Sequence, residues 1–492
     1  MPRLNNRSLL SFPKSHPEVI IPSYDRRAAT AGIVHVGVGG FHRAHQAVYL
    51  DDLLATGGEM GWGICGVGLR PADAAMRDAL VPQDCLYTVV SRGAEGNELR
   101  IVGSLLRYLF APTQSQAVLD AMSAPETKIV TLTITESAYN SNGAAGAFDA
   151  DHPDVRHDLR SPSQPIGVFG YLAEALDRRR RLGLPAFTVL SCDNVPHNGD
   201  VARRSLLAFA ALRDPALSDW IAQNGAFPNA MVDRITPQTT DADREMVLGG
   251  FGIEDAWPVV TEPFRRWIVE DRFSDGRPPL ERVGVQFVSD VAPYEKMKLR
   301  LLNGSHSAMC YLGALAGFTY VHEVLADPLF AGFVRRLMDD EVTPLLPPVP
   351  GVDLEDYKDT LMTRLANPAV GDQVTRICLD GSSKMPRCLL PSLRESLASG
   401  RPSPLLTLAV AGWFRYLLGE DEAGRPYPID DPRGEELKVR ARTGGTDPRP
   451  LLALTDLFGD LGTSEAFTQA LAADLSRLYS DGARATLTRV LS

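Results

Sequence analysis

Ile33-Val34-His35-Val36-Gly37-Val38-Gly39-Gly40, read on through Phe41-His42-Arg43-Ala44-His45, decides the fold class. A β-rich run enters a glycine turn, and Ala44, Ala47, Val48, Leu54 and Ala55 then recur at helical spacing until Gly57-Gly58 supplies a helix stop. Strand, glycine turn and helix in that order predict a dinucleotide-binding βα unit. Gly37 allows the tight turn, and Gly39 lets the backbone approach a pyrophosphate at the helix N-terminus. Gly40 and Phe41, at the start of that helix, belong to the same candidate site. Where the usual G-x-G-x-x-G spacing has its third glycine, this chain has His42.

Working outward, the runs Trp62–Val67, Leu86–Val90, Ile129–Thr135 and Ala186–Leu190 alternate with helical patterns as far as about residue 286. That alternation predicts βαβ units around a mainly parallel sheet. Beyond residue 287 strand signals fade, and apolar helices such as Ser307–Phe318 and Leu405–Phe414 are separated by loops rich in proline and glycine. The expected fold is an α/β Rossmann-type N-terminal domain, residues 1–286, followed by a mostly α-helical C-terminal domain, residues 287–492, for substrate binding and catalysis.

The composition agrees with a folded globular protein: 492 residues, 44% hydrophobic and 23% charged. A formal charge of −11 repels phosphate backbones and acidic lipid surfaces, which argues against nucleic-acid and membrane partners. Six cysteines without a Cys-x-x-Cys pair read as reduced core residues, and the N-terminus lacks the apolar core of a secretory signal, so a cytoplasmic protein is expected. No His/Cys/Glu cluster has zinc-ligand spacing; His42 and His45 lie three apart with no third partner, so no metal is expected.

The second strand is followed by Leu69-Arg70-Pro71-Ala72-Asp73. Asp73 suits the ribose hydroxyls and favours NAD; Arg70 suits a 2′-phosphate and favours NADP; Asp73 as a helix cap is the third reading. Glu136, at the carboxyl end of its strand, is placed to border the nicotinamide.

The chemistry is sought in Pro293-Tyr294-Glu295-Lys296-Met297-Lys298-Leu299-Arg300-Leu301-Leu302-Asn303-Gly304-Ser305-His306. On one α-helix, at about 100° per residue, Asn303 and His306 lie about 140° and 80° from Lys298, on one face. Met297, Leu301 and Leu302 supply apolar neighbours, so that a partly desolvated lysine can act as a base. Tyr294 and Lys298 also fit Tyr-x-x-x-Lys, the pair of short-chain dehydrogenases, but the pattern is common by chance and lies about 260 residues after the glycine turn.

Gly37-x-Gly39-Gly40-Phe41-His42-Arg43-Ala44-His45, Phe227-Pro228-Asn229-Ala230-Met231-Val232-Asp233-Arg234-Ile235-Thr236-Pro237 and Lys298-x4-Asn303-x2-His306 together resemble the mannitol dehydrogenase family, the polyol-specific long-chain dehydrogenases. Ile134-Thr135-Glu136, Ser191 to Gly199 and Asp380-Gly381-Ser382-Ser383-Lys384 extend the likeness over nearly the whole chain. The resemblance implies a metal-independent, NAD-dependent secondary alcohol dehydrogenase. Lys298 matches its general base, and Asn194 and Asn303 the amides that hold the substrate oxygen. His306 matches a substrate-orienting group, Glu295 a carboxylate near the lysine, and Asp233, Arg376 and Lys384 polar contacts to the polyol chain. Arg43 and His45 are expected to shape the helix start. The implied reaction is D-mannitol to D-fructose, reversibly, with D-arabinitol or the uronates fructuronate and tagaturonate as alternatives within the family. A nucleotide-sensing protein without chemistry is the reading from another class. The expected partner is a small polyol or ketose; a monomer is compatible with the resemblance.

Overall fold

The structure, a computed structural model, describes residues 3–9, 16–139, 141–142 and 147–492. Two compact units divide the chain, residues 1–291 and 292–492.

The first unit is built on five parallel strands in the spatial order Leu105–Phe110, Ile64–Gly68, Ile33–Val36, Ile129–Leu132, Thr188–Ser191. The chain starts at the centre, winds to one edge, then returns and winds to the other. The strand order therefore reverses between Ile33–Val36 and Ile129–Leu132, which is where open α/β sheets bind ligands. Both faces of the sheet are covered, so its strands read as continuous apolar runs. Val34, Val36, Cys65, Val67, Val130 and Leu132 pack toward helices Ala111–Ser123, Val168–Leu182 and Asn198–Arg213, while Ile33, Ile64, Leu105 and Ile129 pack toward helix Gln46–Ala55.

Leu86–Val90 does not join this sheet as the alternation suggested. Tyr87–Gly93 pairs antiparallel with Gly96–Val102 and parallel with Val259–Thr261 in a separate three-stranded sheet. The strand that does belong, Leu105–Phe110, runs straight into helix Ala111–Ser123 without a turn residue to mark its end, which is why its pattern is hard to read. A third sheet pairs Ala230–Asp233 antiparallel with Arg266–Glu270, which lies parallel to Gln286–Val288.

The second unit is helical; among its described residues the only extended pairings are the isolated bridges Tyr320–Gln373 and Glu420–Pro426. At its centre helix Ser305–Leu315, buried along its whole length, packs on Pro404–Tyr416, buried from Leu405 onward. These two helices are apolar on all sides because neighbours surround them. Among the described residues no helix is long and apolar enough to cross a membrane. All six cysteines are buried, and none forms a disulfide.

Candidate active site

The glycine turn leaves the central strand with Gly37 at φ +93°, its N–H donating to Val67 O at 3.0 Å and its carbonyl accepting from Thr133 Oγ1 at 2.7 Å. A Cβ on Gly37 would stand 2.0 Å from Thr133 O, so the first glycine is demanded by the protein's own backbone. Gly39 differs: a Cβ there would meet no protein atom closer than Gly37 O at 3.9 Å. The space over Gly39 is open, with room for a group to approach the backbone at the helix start.

His42 replaces the third glycine in an unexpected way. Its imidazole, 1% exposed, lies flat on that of His35, with ring centroids 3.4 Å apart and planes 7° apart. His35 is held in turn by Thr131 Oγ1 at 2.8 Å and Thr133 Oγ1 at 3.0 Å. The close helix-to-strand approach that a glycine permits by having no side chain is made here by two stacked rings. The helix itself is broken: Gly40–Ala44 and Gln46–Ala55 are separated by His45 at φ −118°, ψ −87°, whose Nε2 is hydrogen-bonded to Arg266 O at 2.9 Å. Arg43 is buried, donating to Trp257 O with its guanidinium 5.2 Å from the Tyr87 ring centroid. Arg43 and His45 thus hold the helix start, and Phe41, partly buried, stacks on His45 at 5.0 Å.

These imidazoles carry a pH consequence. Burial pushes His35 and His45 down to about 3, and burial with the neighbouring charges of His35, Arg43 and His45 pushes His42 well below its ordinary value. In the second unit burial pushes His306 down to about 4, with Asp372 opposing and Arg376, Lys384 and Arg364 assisting. Below about pH 6.5 the unfolded chain takes up protons that the folded chain refuses, so stability must fall as pH drops from about 6.5 toward 4. His306 alone accounts for roughly 3 kcal/mol across that window. The melting temperature is expected to drop steadily between pH 6.5 and 4.5, with proton uptake on unfolding seen by calorimetry in two buffers; a flat profile overturns the assignment.

On the ribose side, Asp73 Oδ2 accepts the Arg70 N–H at 2.8 Å, capping the turn Pro71–Asp73, and the Arg70 guanidinium meets Asp154 at 2.7 Å. Asp73 does not cap the helix Ala74–Leu80 that it opens, because its carboxylate is taken by the Arg70 N–H, and Arg70's charge is already answered by a carboxylate. Glu136 opens the short turn Glu136–Tyr139; its side chain lies outside the described residues. The residue before it, Thr135, has φ +68°, a strained conformation for a β-branched side chain. Asp193 holds it there: Oδ1 accepts the N–H groups of Ile134 at 2.9 Å and Thr135 at 3.0 Å, and Oδ2 accepts Tyr139 OH at 2.6 Å. One buried carboxylate therefore ties together the carboxyl ends of two neighbouring strands, just before exposed Asn194. Sequence reasoning did not single out Asp193; an acidic residue two past the end of a strand was its only signal.

The Phe227–Pro237 segment packs against the Ser191–Gly199 segment, with Gly199 close against the carbonyls of Phe227 and Pro228, and Asn198 bonding across. Asn198 Nδ2 donates to Asp193 O at 3.0 Å and Ala230 O at 2.7 Å, and its Oδ1 accepts the Ala230 N–H at 2.9 Å. Asp233 ends the strand, buried. Arg234 gives its guanidinium to the carbonyls of Glu262 and Ala44, so the Asp233-Arg234 dipeptide is not an internal ion pair.

In the second unit the Pro293–His306 stretch lies within one continuous helical run, but it is not all α. Ala292–Met297 is α, Lys298–Gly304 is π, and Ser305–Leu315 is α again. In a π segment the N–H of residue i+5 bonds the carbonyl of residue i, so residues five apart are stacked more nearly above one another. This turns Asn303 toward Lys298, closing the wide angle expected of an α-helix. Short π segments recur at functional sites. Lys298 is 7% exposed beside buried Met297, Leu301 and Leu302. Among the described residues Asn303 Oδ1 and His306 Nε2 are buried without hydrogen-bond partners, a costly state for polar atoms that a ligand hydroxyl relieves. Glu295, half-buried, stands one turn before the lysine. Tyr294 donates its hydroxyl to Pro350 O at 2.7 Å, which removes it as a catalytic acid.

Around His306 the structure gathers three more groups. Asp372, 6% exposed, grips Arg376 with both oxygens, Oδ1 to Nε and Oδ2 to Nη2, each at 2.6 Å, and its Oδ2 stands 3.8 Å from His306 Nε2. Lys384 donates to Ile377 O at 3.3 Å, and burial, with Arg376 nearby, pushes its ammonium below the usual lysine range. Arg376 and Lys384 were legible from sequence; Asp372 was not, its signal being only a carboxylate four residues before the arginine.

The chain matches the mannitol dehydrogenase Rossmann domain over residues 31–282 and the mannitol dehydrogenase C-terminal domain over residues 290–479. The chain belongs to the mannitol dehydrogenase family. Among its relatives in the family, the mannitol 2-dehydrogenase of Aspergillus fumigatus is 49% identical, covering 100% of this chain and 99% of the relative. That of Pyricularia oryzae is 50% identical, with 97% of each covered. Among solved structures, the ternary complex of Pseudomonas fluorescens mannitol 2-dehydrogenase with NAD and D-mannitol aligns with TM-score 0.93 and 48% identity, covering 100% of this chain and 99% of that one. A substrate-free D-sorbitol dehydrogenase aligns with TM-score 0.88 and 37% identity, covering 98% and 100%. The Rossmann-type fold followed by a mostly helical domain, expected from the sequence, is the architecture of this mannitol dehydrogenase family member.

Proposed function

We propose that this protein oxidises a secondary hydroxyl of a polyol with NAD, D-mannitol to D-fructose, reversibly and with a lysine as base rather than a metal. The observation that carries the reading is the π segment. It buries Lys298 next to apolar side chains and, over the following turns, presents Asn303 Oδ1 and His306 Nε2 as buried atoms lacking partners. The names of the relatives, and the NAD and D-mannitol bound in the Pseudomonas fluorescens structure, support the substrate and the cofactor.

The residues present fit a dinucleotide. Gly37 makes the turn possible, and Gly39 leaves the approach to the helix start open. In this reading residues 1–286 hold the cofactor and 287–492 carry the base. NAD, when bound, supplies the hydride acceptor.

Lys298 takes the proton from the reacting hydroxyl, its amine held in a buried position beside Met297, Leu301 and Leu302. Asn303 and Asn194 hold the oxygen as it gains alkoxide character, contributing as preorganised dipoles. His306, neutral at working pH, orients a neighbouring hydroxyl through Nε2. Glu295, one turn before the lysine, passes the proton on to solvent. Asp233, Arg376 and Lys384 contact the rest of the polyol chain. His42 and His45 are occupied in packing, so the zinc role of paired histidines falls away in this account.

The test is a panel of mannitol, sorbitol, arabinitol and mannonate with NAD and NADP. The highest kcat/KM is expected for mannitol with NAD. No turnover on any polyol, or a preference for mannonate, overturns the proposal; a preference for sorbitol keeps the reaction and changes the substrate.

A further inference from the structure

An arginine in a sugar-binding site can do two different jobs. Uncompensated, it is a receptor for a carboxylate, which it holds through two parallel N–H bonds and a full positive charge. Paired with an internal carboxylate, it is a rigid set of neutralised donors, suited to hydroxyl groups. The geometry points to the second job for Arg376, and we infer that Asp372 is the residue that makes this enzyme select uncharged polyols over uronates and aldonates. The inference rests on the polyol reading above and deepens it.

Asp372 is buried and takes the Nε and Nη2 edge of Arg376 with two bonds of 2.6 Å. The pair is net neutral, and one edge of the fork is consumed. Among the described residues the Nη1 group has no hydrogen-bond partner and remains available to donate to hydroxyls. Asp372 also lies within 3.8 Å of His306 Nε2, so its negative charge stands beside the proposed polyol-orienting atoms. A substrate carboxylate brought to Arg376 would have to approach that fixed negative charge. A polyol hydroxyl meets no such cost. Lys384 is held to the backbone, donating to Ile377 O at 3.3 Å. Specificity is a difference of affinities, and here it comes from an unfavourable term against the anion as well as hydrogen bonds to the neutral ligand.

The decisive variant is Asp372→Asn, which keeps the shape and one acceptor but leaves Arg376 charged. Mannonate serves as the anionic probe, its Ki read as a competitor of mannitol oxidation and its Kd by calorimetry. The ratio of mannonate Ki to mannitol KM is expected to fall at least tenfold in Asp372→Asn, and the gain should shrink as salt is raised. Should Asp372→Asn fail to fold, Arg376→Gln tests the same claim from the other side. It leaves the carboxylate uncompensated and is expected to raise the mannonate Kd at least tenfold. An unchanged ratio in the folded variant, or a wild-type enzyme that already prefers mannonate, overturns the inference. Absence of turnover on every polyol, with mannonate affinity still rising in Asp372→Asn, defeats the reaction proposed above and leaves standing only the claim that Asp372 weakens anion binding at Arg376.

Discussion

Lys298→Ala is expected to lower kcat for mannitol oxidation by about 10²- to 10⁴-fold, the range that general bases contribute, while NADH affinity stays close to that of the wild type. Two features of the structure separate the two effects. The lysine lies in the second unit, on the π segment Lys298–Gly304, whereas the glycine turn that fits the dinucleotide lies between the first strand and helix Gly40–Ala44. The loss should therefore fall on kcat and not on cofactor binding. The missing amine also leaves space beside Met297 and Leu301, so small primary amines added to the assay should restore part of the rate in proportion to their basicity. Stopped-flow hydride transfer and NADH fluorescence titration read the two quantities separately. Turnover within a few-fold of wild type would remove Lys298 from the mechanism.

The lysine was visible in the sequence; the geometry that serves it was not. Lys298, Asn303 and His306 stand out as polar residues in an apolar stretch, but their angular relation was read from an α-helical period, and the chain adopts a π register over Lys298–Gly304. No residue in Leu299-Arg300-Leu301-Leu302 announces that change. The glycine turn was legible because Gly37 answers a local steric demand, while the His35–His42 stack was hidden because it joins residues of a strand and a helix that become neighbours only on folding. The same reason conceals Asp193 and Asp372. Each is an ordinary acidic residue in sequence, and each acquires its role from groups it meets in space: the amides of Ile134 and Thr135 in one case, the guanidinium of Arg376 in the other. Strand membership fails at Leu86–Val90 because the strand turns back in a hairpin with Gly96–Val102, and its other edge is taken by Val259–Thr261, some 170 residues downstream.

Gly37→Ala is expected to damage fold and cofactor site together, and Gly39→Ala the cofactor site alone. At Gly37 the backbone sits at φ +93°, and the new methyl carbon would be 2.0 Å from Thr133 O and 2.8 Å from Thr133 C. Thr133 is fixed by its N–H to Val36 O at 3.0 Å and by its hydroxyl to Gly37 O at 2.7 Å, so relief requires the ends of strands Ile33–Val36 and Ile129–Leu132 to part. The left-handed conformation costs an alanine about 1–2 kcal/mol and the overpacking about 1–3 kcal/mol more. A loss of about 2–5 kcal/mol is a large share of the stability of an ordinary domain. Denaturant unfolding should show that loss for Gly37→Ala, together with weakened NADH binding. Gly39 has φ −108°, which any residue adopts, and its Cβ would meet nothing nearer than 3.9 Å, so Gly39→Ala should unfold like the wild type. Its methyl would nevertheless stand where the pyrophosphate must come close to the backbone, and NADH affinity is expected to fall at least tenfold. The pair of variants separates two claims that a single glycine substitution would confuse. Normal NADH binding in Gly39→Ala would move the dinucleotide away from this turn, and unchanged stability in Gly37→Ala would mean that the strand ends yield more readily than their hydrogen bonds imply.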